Sequence, residues 1–135
     1  MDRIVAVSDT VNAGIHALAL AEANGGSISA RKAAEHLGVS SSYLAKIMQK
    51  LAAGGLLTPT RGLGGGYALA RPAEQISCLE VLTLLEGDLP RRECLFAKAV
   101  CRTGTCALRT FCADTEKRLR SVLETTAIAA IARSF

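Results

Sequence analysis

Residues 29–69 read SARKAAEHLGVSSSYLAKIMQKLAAGGLLTPTRGLGGGYAL, and this stretch decides the fold. Its opening predicts a short helix over 30–37, capped by Ser29, buried through Ala33, Ala34 and Leu37, and stopped by Gly38. Ser40 caps a further helix over 41–53, on which Leu44, Ile47, Met48 and Leu51 share one face. Two helices joined by a tight glycine-containing turn, the second opening on small polar side chains, make a helix-turn-helix pattern. Leu56–Thr58 and Tyr67–Leu69 then read as paired strands around a glycine-dense tip with Arg61 at its base, a wing.

On the N-terminal side, residues 9–22 carry Val11, Ile15, Leu18 and, less regularly, Leu20 at helical spacing, and Asn24-Gly25-Gly26 closes that helix. On the other side a helix is expected over 77–86, with Cys78 or Leu79, Val81, Leu82 and Leu85 inward and Gly87 near its end. Residues 88–105 then read as an irregular loop, longer than packing alone favours. From there one long helix is expected to about 132, striped by Leu108, Cys112, Thr115, Leu119, Val122 and Thr126. A second subunit covers that stripe in a two-fold dimer; the alternative is a helix that packs back on the first one. The expected fold is therefore mainly α, a winged helix-turn-helix with a two-stranded wing and a long C-terminal dimerisation helix. Residues 1–75 form the DNA-binding domain in this reading, and 76–135 the sensor loop and dimerisation helix.

The composition agrees with one small domain, or a domain plus an arm: 135 residues, 50% of them hydrophobic, need no disulfide staple. Asp2, Arg3, Asp9, His16 and Glu22 interrupt the first thirty residues, which argues for a cytoplasmic protein with no membrane partner. The 4% aromatic content and the absence of Trp disfavour a stacking platform for single strands. Two separated histidines, with no nucleophile elbow, HExxH helix or phosphate loop, disfavour an enzyme.

Charge points to duplex DNA. Residues 29–71 carry Arg31, Lys32, Lys46, Lys50, Arg61 and Arg71 against Glu35, a net +5 that leaves −1 for the rest of a +4 chain. A basic surface coincident with the motif is the footprint of counterion release from phosphates. Candidate DNA contacts are Arg31, Lys32, Ser40, Ser41, Ser42, Tyr43 and Lys46 on the two helices, with Arg61, Gly62, Gly64 and Gly65 on the wing. Arg61 would reach a minor groove, and Tyr43 has a core position as its alternative.

Five cysteines in a reducing compartment point to free core thiols, ligands or redox sensors. Cys94, Cys101, Cys106 and Cys112 follow C-x6-C-x4-C-x5-C, without the C-x2-C repeat of zinc ribbons. Wide spacings within one loop suit an iron–sulfur cluster, with a fourth ligand from elsewhere; merely buried thiols are the alternative. Arg91, Arg92 and Arg102 are expected to depress the loop thiols' pKa values. Cys78, among Leu79, Val81 and Leu82, reads as an inert core thiol.

The run YLAKIMQKLAAGGLLTPTRGLGGGYALARPAEQISCLEVLTLLEG, residues 43–87, followed by a three-cysteine loop, closely resembles the IscR/NsrR/RirA family of bacterial winged-helix regulators. The resemblance covers nearly the whole chain. It implies a homodimer that binds a palindromic operator on double-stranded DNA, and a [4Fe-4S] or [2Fe-2S] cluster on Cys94, Cys101 and Cys106. The middle cysteine is displaced by one from the family's C-x5-C-x5-C form. Where the IscR-like branch has a histidine ligand this chain has Arg109, which cannot serve. Asp9 matches the NsrR-like branch's fourth ligand, given by the partner subunit; a helix N-terminal cap is its other reading. Cys112 is the lesser candidate, since its place in the stripe suits a buried thiol. Ala45 stands where the IscR-like branch has a glutamate, so that branch's operator preference does not carry over. The resemblance implies a transcriptional regulator, a repressor, responding to nitric oxide, iron or redox status. The alternatives are a cluster-free thiol–disulfide repressor on the same fold and a winged-helix protein-interaction module that binds no DNA.

Overall fold

The computed structural model describes residues 7–62, 65–89, 94–96, 100–102 and 105–135. Among these the elements run α1 (Asp9–Ala23), β1 (Ser27–Ile28), α2 (Ala30–Leu37), α3 (Ser41–Ala53), β2 (Leu57–Pro59), β3 (Tyr67–Leu69), α4 (Cys78–Glu86), α5 (Arg109–Thr125) and α6 (Ile128–Ala132), with a 3-10 turn at Ala73–Gln75. The molecule is mainly helical, with one small antiparallel sheet.

Four helices start on a serine whose Oγ accepts an otherwise orphaned backbone N–H: Ser8 from Val11, Ser29 from Lys32, Ser40 from Tyr43 and Ser77 from Glu80. Each such cap stabilises its helix by about 1 kcal/mol. Gly38 ends α2 in the left-handed region at φ 66°, where its N–H reaches Ala34 O, and this sets the turn into α3.

The central helix is α1. It buries Val11, Ile15 and Leu18 as expected, with the less regularly spaced Leu20, and also Ala13, Ala17, Ala19 and Ala21, so it is apolar nearly all round. Its small residues permit close packing: a Cβ on Gly14 would lie 2.7 Å from Leu85 Cδ1 of α4. Leu44, Met48, Leu51, Leu56, Ile76, Val81 and Ile128 are the largest fully buried side chains around it, in one continuous core with Leu18.

The two-stranded wing is there as β2 paired with β3, and β1 extends it to a three-stranded sheet in the order β1-β3-β2, because Ser27 and Ile28 pair with Ala68 and Tyr67. Two residues between Gly26 and the Ser29 cap are too few to show a period. The expected helix to 132 is broken. Thr126 turns extended at ψ 111°, its carbonyl accepts from Cys78 N at 2.9 Å, and Ile128 N donates to Ile76 O at 2.8 Å. Thr125 contributes to the stop, its Oγ1 bonding Ser121 O at 2.8 Å. The chain then re-enters helix as α6, which packs on α1 and buries Ile128, Ala129 and Ala132. Packing back on the first helix, the alternative in the sequence, thus holds for the last segment, while α5 packs on α4.

Candidate nucleic-acid interface and cysteine loop

The motif presents one polar face. Leu44, Ile47, Met48 and Leu51 fasten α3 to the core, while Ser41, Ser42, Tyr43, Lys46, Gln49 and Lys50 are exposed. Ser40 is spent partly on its cap, accepting from Tyr43 N at 3.2 Å, and its Oγ lies 3.4 Å from Ser42 Oγ. Tyr43 is neither core nor free: its ring is 36% exposed and its hydroxyl lies 3.3 Å from Thr10 Oγ1 on α1. On α2, Lys32 Nζ donates to Asn24 Oδ1 at 3.0 Å. Arg31 stands 3.9 Å from Glu35 with side chains 83% and 66% exposed, a pairing too solvated to hold the guanidinium back from another anion.

The wing is built from backbone. Thr60 N donates to Gly66 O at 2.8 Å, Gly66 N to Thr60 Oγ1 at 2.9 Å, and Gly65 N to Gly62 O at 2.9 Å, with Gly62 at φ 120°. One approach that only glycine permits is made within the chain. A Cβ on Gly66 would lie 2.5 Å from Ile28 O and 2.7 Å from Ser29 Cα. Arg61 is exposed at the wing's base; Gly64 lies outside the described residues. Arg71, counted in the basic footprint, is turned away: its Nη2 donates to Glu80 Oε2 at 2.6 Å and to Gln75 O at 3.1 Å.

The loop cysteines differ from the helical ones. Cys101 and Cys106 are exposed and Cys94 half-buried, whereas Cys78 and Cys112 are buried in α4 and α5. The Cys101 thiol is pushed up, first by negative charge on Cys106, then by burial, by its hydrogen bond with Cys106 and by charge on Cys94. This reverses the depression expected from the arginines, of which Arg91 and Arg92 lie outside the described residues. Cys101 thus feels both of the other loop thiols, Cys106 more than Cys94. Cys106 Sγ accepts from Leu108 N at 3.4 Å at the start of α5. The donor type fits an iron–sulfur group, which takes thiolates. Among the described residues, however, no three His, Cys, Asp or Glu side chains are already gathered as a metal site.

Asp9, the other candidate ligand, is the first residue of α1, exposed and without an ion pair or hydrogen bond among the described residues. The capping role belongs to Ser8, whose Oγ also donates to the Glu86 carboxylate at the end of α4.

Three residues at these sites escaped the sequence reading. Gln49 follows Ser42 by seven residues, a spacing a helical wheel exposes. Lys50 was counted as charge but not as a contact. Arg120 fastens the stem of the loop to α5, with Nη1 to Asp88 Oδ1 at 3.0 Å, Nη2 to Leu89 O at 3.1 Å and Nε to Glu116 Oε1 at 3.2 Å. Glu116 was visible at i−4, but nothing in the sequence joins Arg120 to residues thirty positions earlier.

A family profile described as "Rrf2: Iron-dependent Transcriptional regulator" matches residues 7–134. The chain belongs to the Rrf2 family of transcriptional regulators. Its Rrf2 fold aligns with CymR, "the Global Cysteine Regulator of B. subtilis", at a TM-score of 0.78 over 98% of this chain and 99% of that one; at 22% identity the likeness speaks for the fold alone. T. potens IscR aligns at a TM-score of 0.70 and 27% identity, over 97% of this chain and 88% of that one. In sequence, the HTH-type transcriptional regulator IscR of Vibrio atlanticus is 34% identical over 90 residues, 66% of this chain and 51% of its own. The IscR of Aliivibrio salmonicida is 33% identical over 91 residues, 67% of this chain and 54% of its own. The chain thus spans about half the length of these curated relatives. Among the described residues no helix is long and apolar enough to cross a membrane.

Proposed function

We propose that this Rrf2 regulator binds double-stranded DNA as a homodimer and represses transcription from a palindromic operator in response to a signal received at its cysteine loop. The observation that carries the reading is that Ser41, Ser42, Lys46 and Lys50 of the motif and Arg61 of the wing are all exposed, so hydroxyls and positive charge are together free to meet phosphate. Arg31, Lys32, Ser40, Tyr43, Gly62, Gly64 and Gly65 complete the proposed contact set. Residues 1–75 carry the DNA contacts in this proposal, and 76–135 the sensing and the pairing of subunits. Binding should weaken as salt rises, and Arg61→Ala should lower both the affinity and the slope of that dependence by about one counterion. Salt-independent binding, or none to any duplex, would leave the motif as a protein-interaction module.

Cys94, Cys101 and Cys106 are the proposed cluster ligands, completed by Asp9 of the partner subunit, with Cys112 as the lesser candidate. A bound [4Fe-4S] or [2Fe-2S] cluster would supply a chromophoric, oxidant- and nitric oxide-reactive iron centre. This chain's part is to hold the three thiols on one loop, anchored at its stem by Arg120 and at its far end by the Leu108 N–H. Protein purified without oxygen should be brown, contain iron and acid-labile sulfide, and bleach with a nitric oxide donor. A second reading, a thiol–disulfide switch, is favoured by the exposure of the Cys101 and Cys106 thiols on the same loop. Under it the protein stays colourless after anaerobic reconstitution, and a reductant reverses its response.

A further inference from the structure

The outward face of α3 ends in a side chain that neither the cap, the core nor the charge pattern explains. At 100° per residue, Ser42, Lys46, Gln49 and Ala53 fall on one stripe, opposite Leu44, Ile47, Met48 and Leu51. Gln49 is exposed, and its amide has no hydrogen-bond partner among the described residues. Along that stripe it is the one side chain that offers a donor and an acceptor on adjacent atoms. One turn back on its flank stands Ala45, half-buried and short, so no long side chain shields Gln49 on that side.

We propose that Gln49 is a specificity-determining residue that reads an adenine in the major groove of each operator half-site. This rests on the DNA-binding reading above. Adenine is the base whose major-groove edge presents an N6 donor beside an N7 acceptor, the complement of a carboxamide. Lys46 on the same stripe and Lys50 beside it supply charge that meets phosphate of any sequence, and so cannot make this distinction. Seven residues of helix from Ser42 to Gln49 span about 10 Å, or about three base-pair steps. The adenine therefore lies about three base pairs from the position that Ser42 faces.

The test begins by selecting, with the full-length protein purified without oxygen, its preferred duplex from a library with randomised half-sites. Each position is then changed to the other bases, and affinities are compared for wild type, Gln49→Ala and Gln49→Glu. Wild type should favour adenine at one position per half-site by about fivefold to 150-fold, and Gln49→Ala should flatten that position alone. Gln49→Glu should move the preference there to cytosine, whose N4 amine donates to a carboxylate. An unchanged preference in Gln49→Ala, or an equal loss on every sequence, overturns the proposal while leaving DNA binding intact. If wild type itself binds no duplex, the DNA-binding reading fails and takes this assignment with it.

Discussion

Gly66 shows how a single missing methyl holds two parts of the molecule together. Its absent Cβ would sit 2.5 Å from a backbone oxygen, Ile28 O, and backbone cannot rotate aside as a side-chain end can. Gly66→Ala should therefore destabilise by about 1–3 kcal/mol or more, read as a lowered urea midpoint. The clash falls between β3 and β1, so DNA affinity should fall with it even under conditions where the variant stays folded. Cys78 gives a residue-scale prediction in pH. Burial pushes its thiol above the ordinary 9.0. In the window above 9.0 the folded chain keeps a proton that the unfolded chain has released, so stability declines as pH rises through it. The drop in urea midpoint between about pH 8 and about pH 10 should be smaller in Cys78→Ala than in wild type.

At the level of elements, α6 ties the end of the chain to α1. Ile128 is fully buried there, and Ile128→Ala should cost about 2–5 kcal/mol in chemical denaturation, though it lies far from the motif. The cysteine loop should behave differently from the helices flanking it. In cluster-free native protein, iodoacetamide should modify Cys94, Cys101 and Cys106 while Cys78 and Cys112 react only on unfolding, as peptide mass mapping would show; early modification of Cys112 would contradict its burial. Arg120→Ala should make the loop more readily cleaved by protease with the helical content unchanged. The elements visible in the sequence were those with a local signature. Ser29 and Gly38 bounded α2 and Ser40 opened α3, each by a cap acting within its own turn. What escaped depends on distant partners: β1 exists because β3 lies beside it, and the break at Thr126 because Ile76 and Cys78 offer hydrogen bonds there. The site divides in the same way. The serines, Lys46 and Arg61 were legible from spacing and charge, whereas the Tyr43–Thr10 contact, the Arg120 clamp and the raised Cys101 thiol arise from residues brought together in folding.

For the whole molecule, the question is which face of α5 is left over. Cys112 and Leu123 turn inward, while Leu108, Phe111 and Val122 stay 48%, 61% and 51% exposed, so the sequence stripe is split between two faces. If the outward face joins subunits, Phe111→Glu should yield a folded monomer by sedimentation. Its hold on a duplex with both half-sites should weaken by about a hundredfold or more, since each half-site then binds alone. A dimer that survives this change pairs through another surface. The third strand bears on what such a protein could recognise. Only Ser29 separates β1 from α2, and β1 is hydrogen-bonded to β3 of the wing, so wing and helix pair are cast as one piece. They act as the jaws of a caliper locked at one gap. A duplex whose groove spacing does not match that gap has to bend or twist to fill it. Operators would then be ranked partly by the stiffness of base steps that no side chain touches.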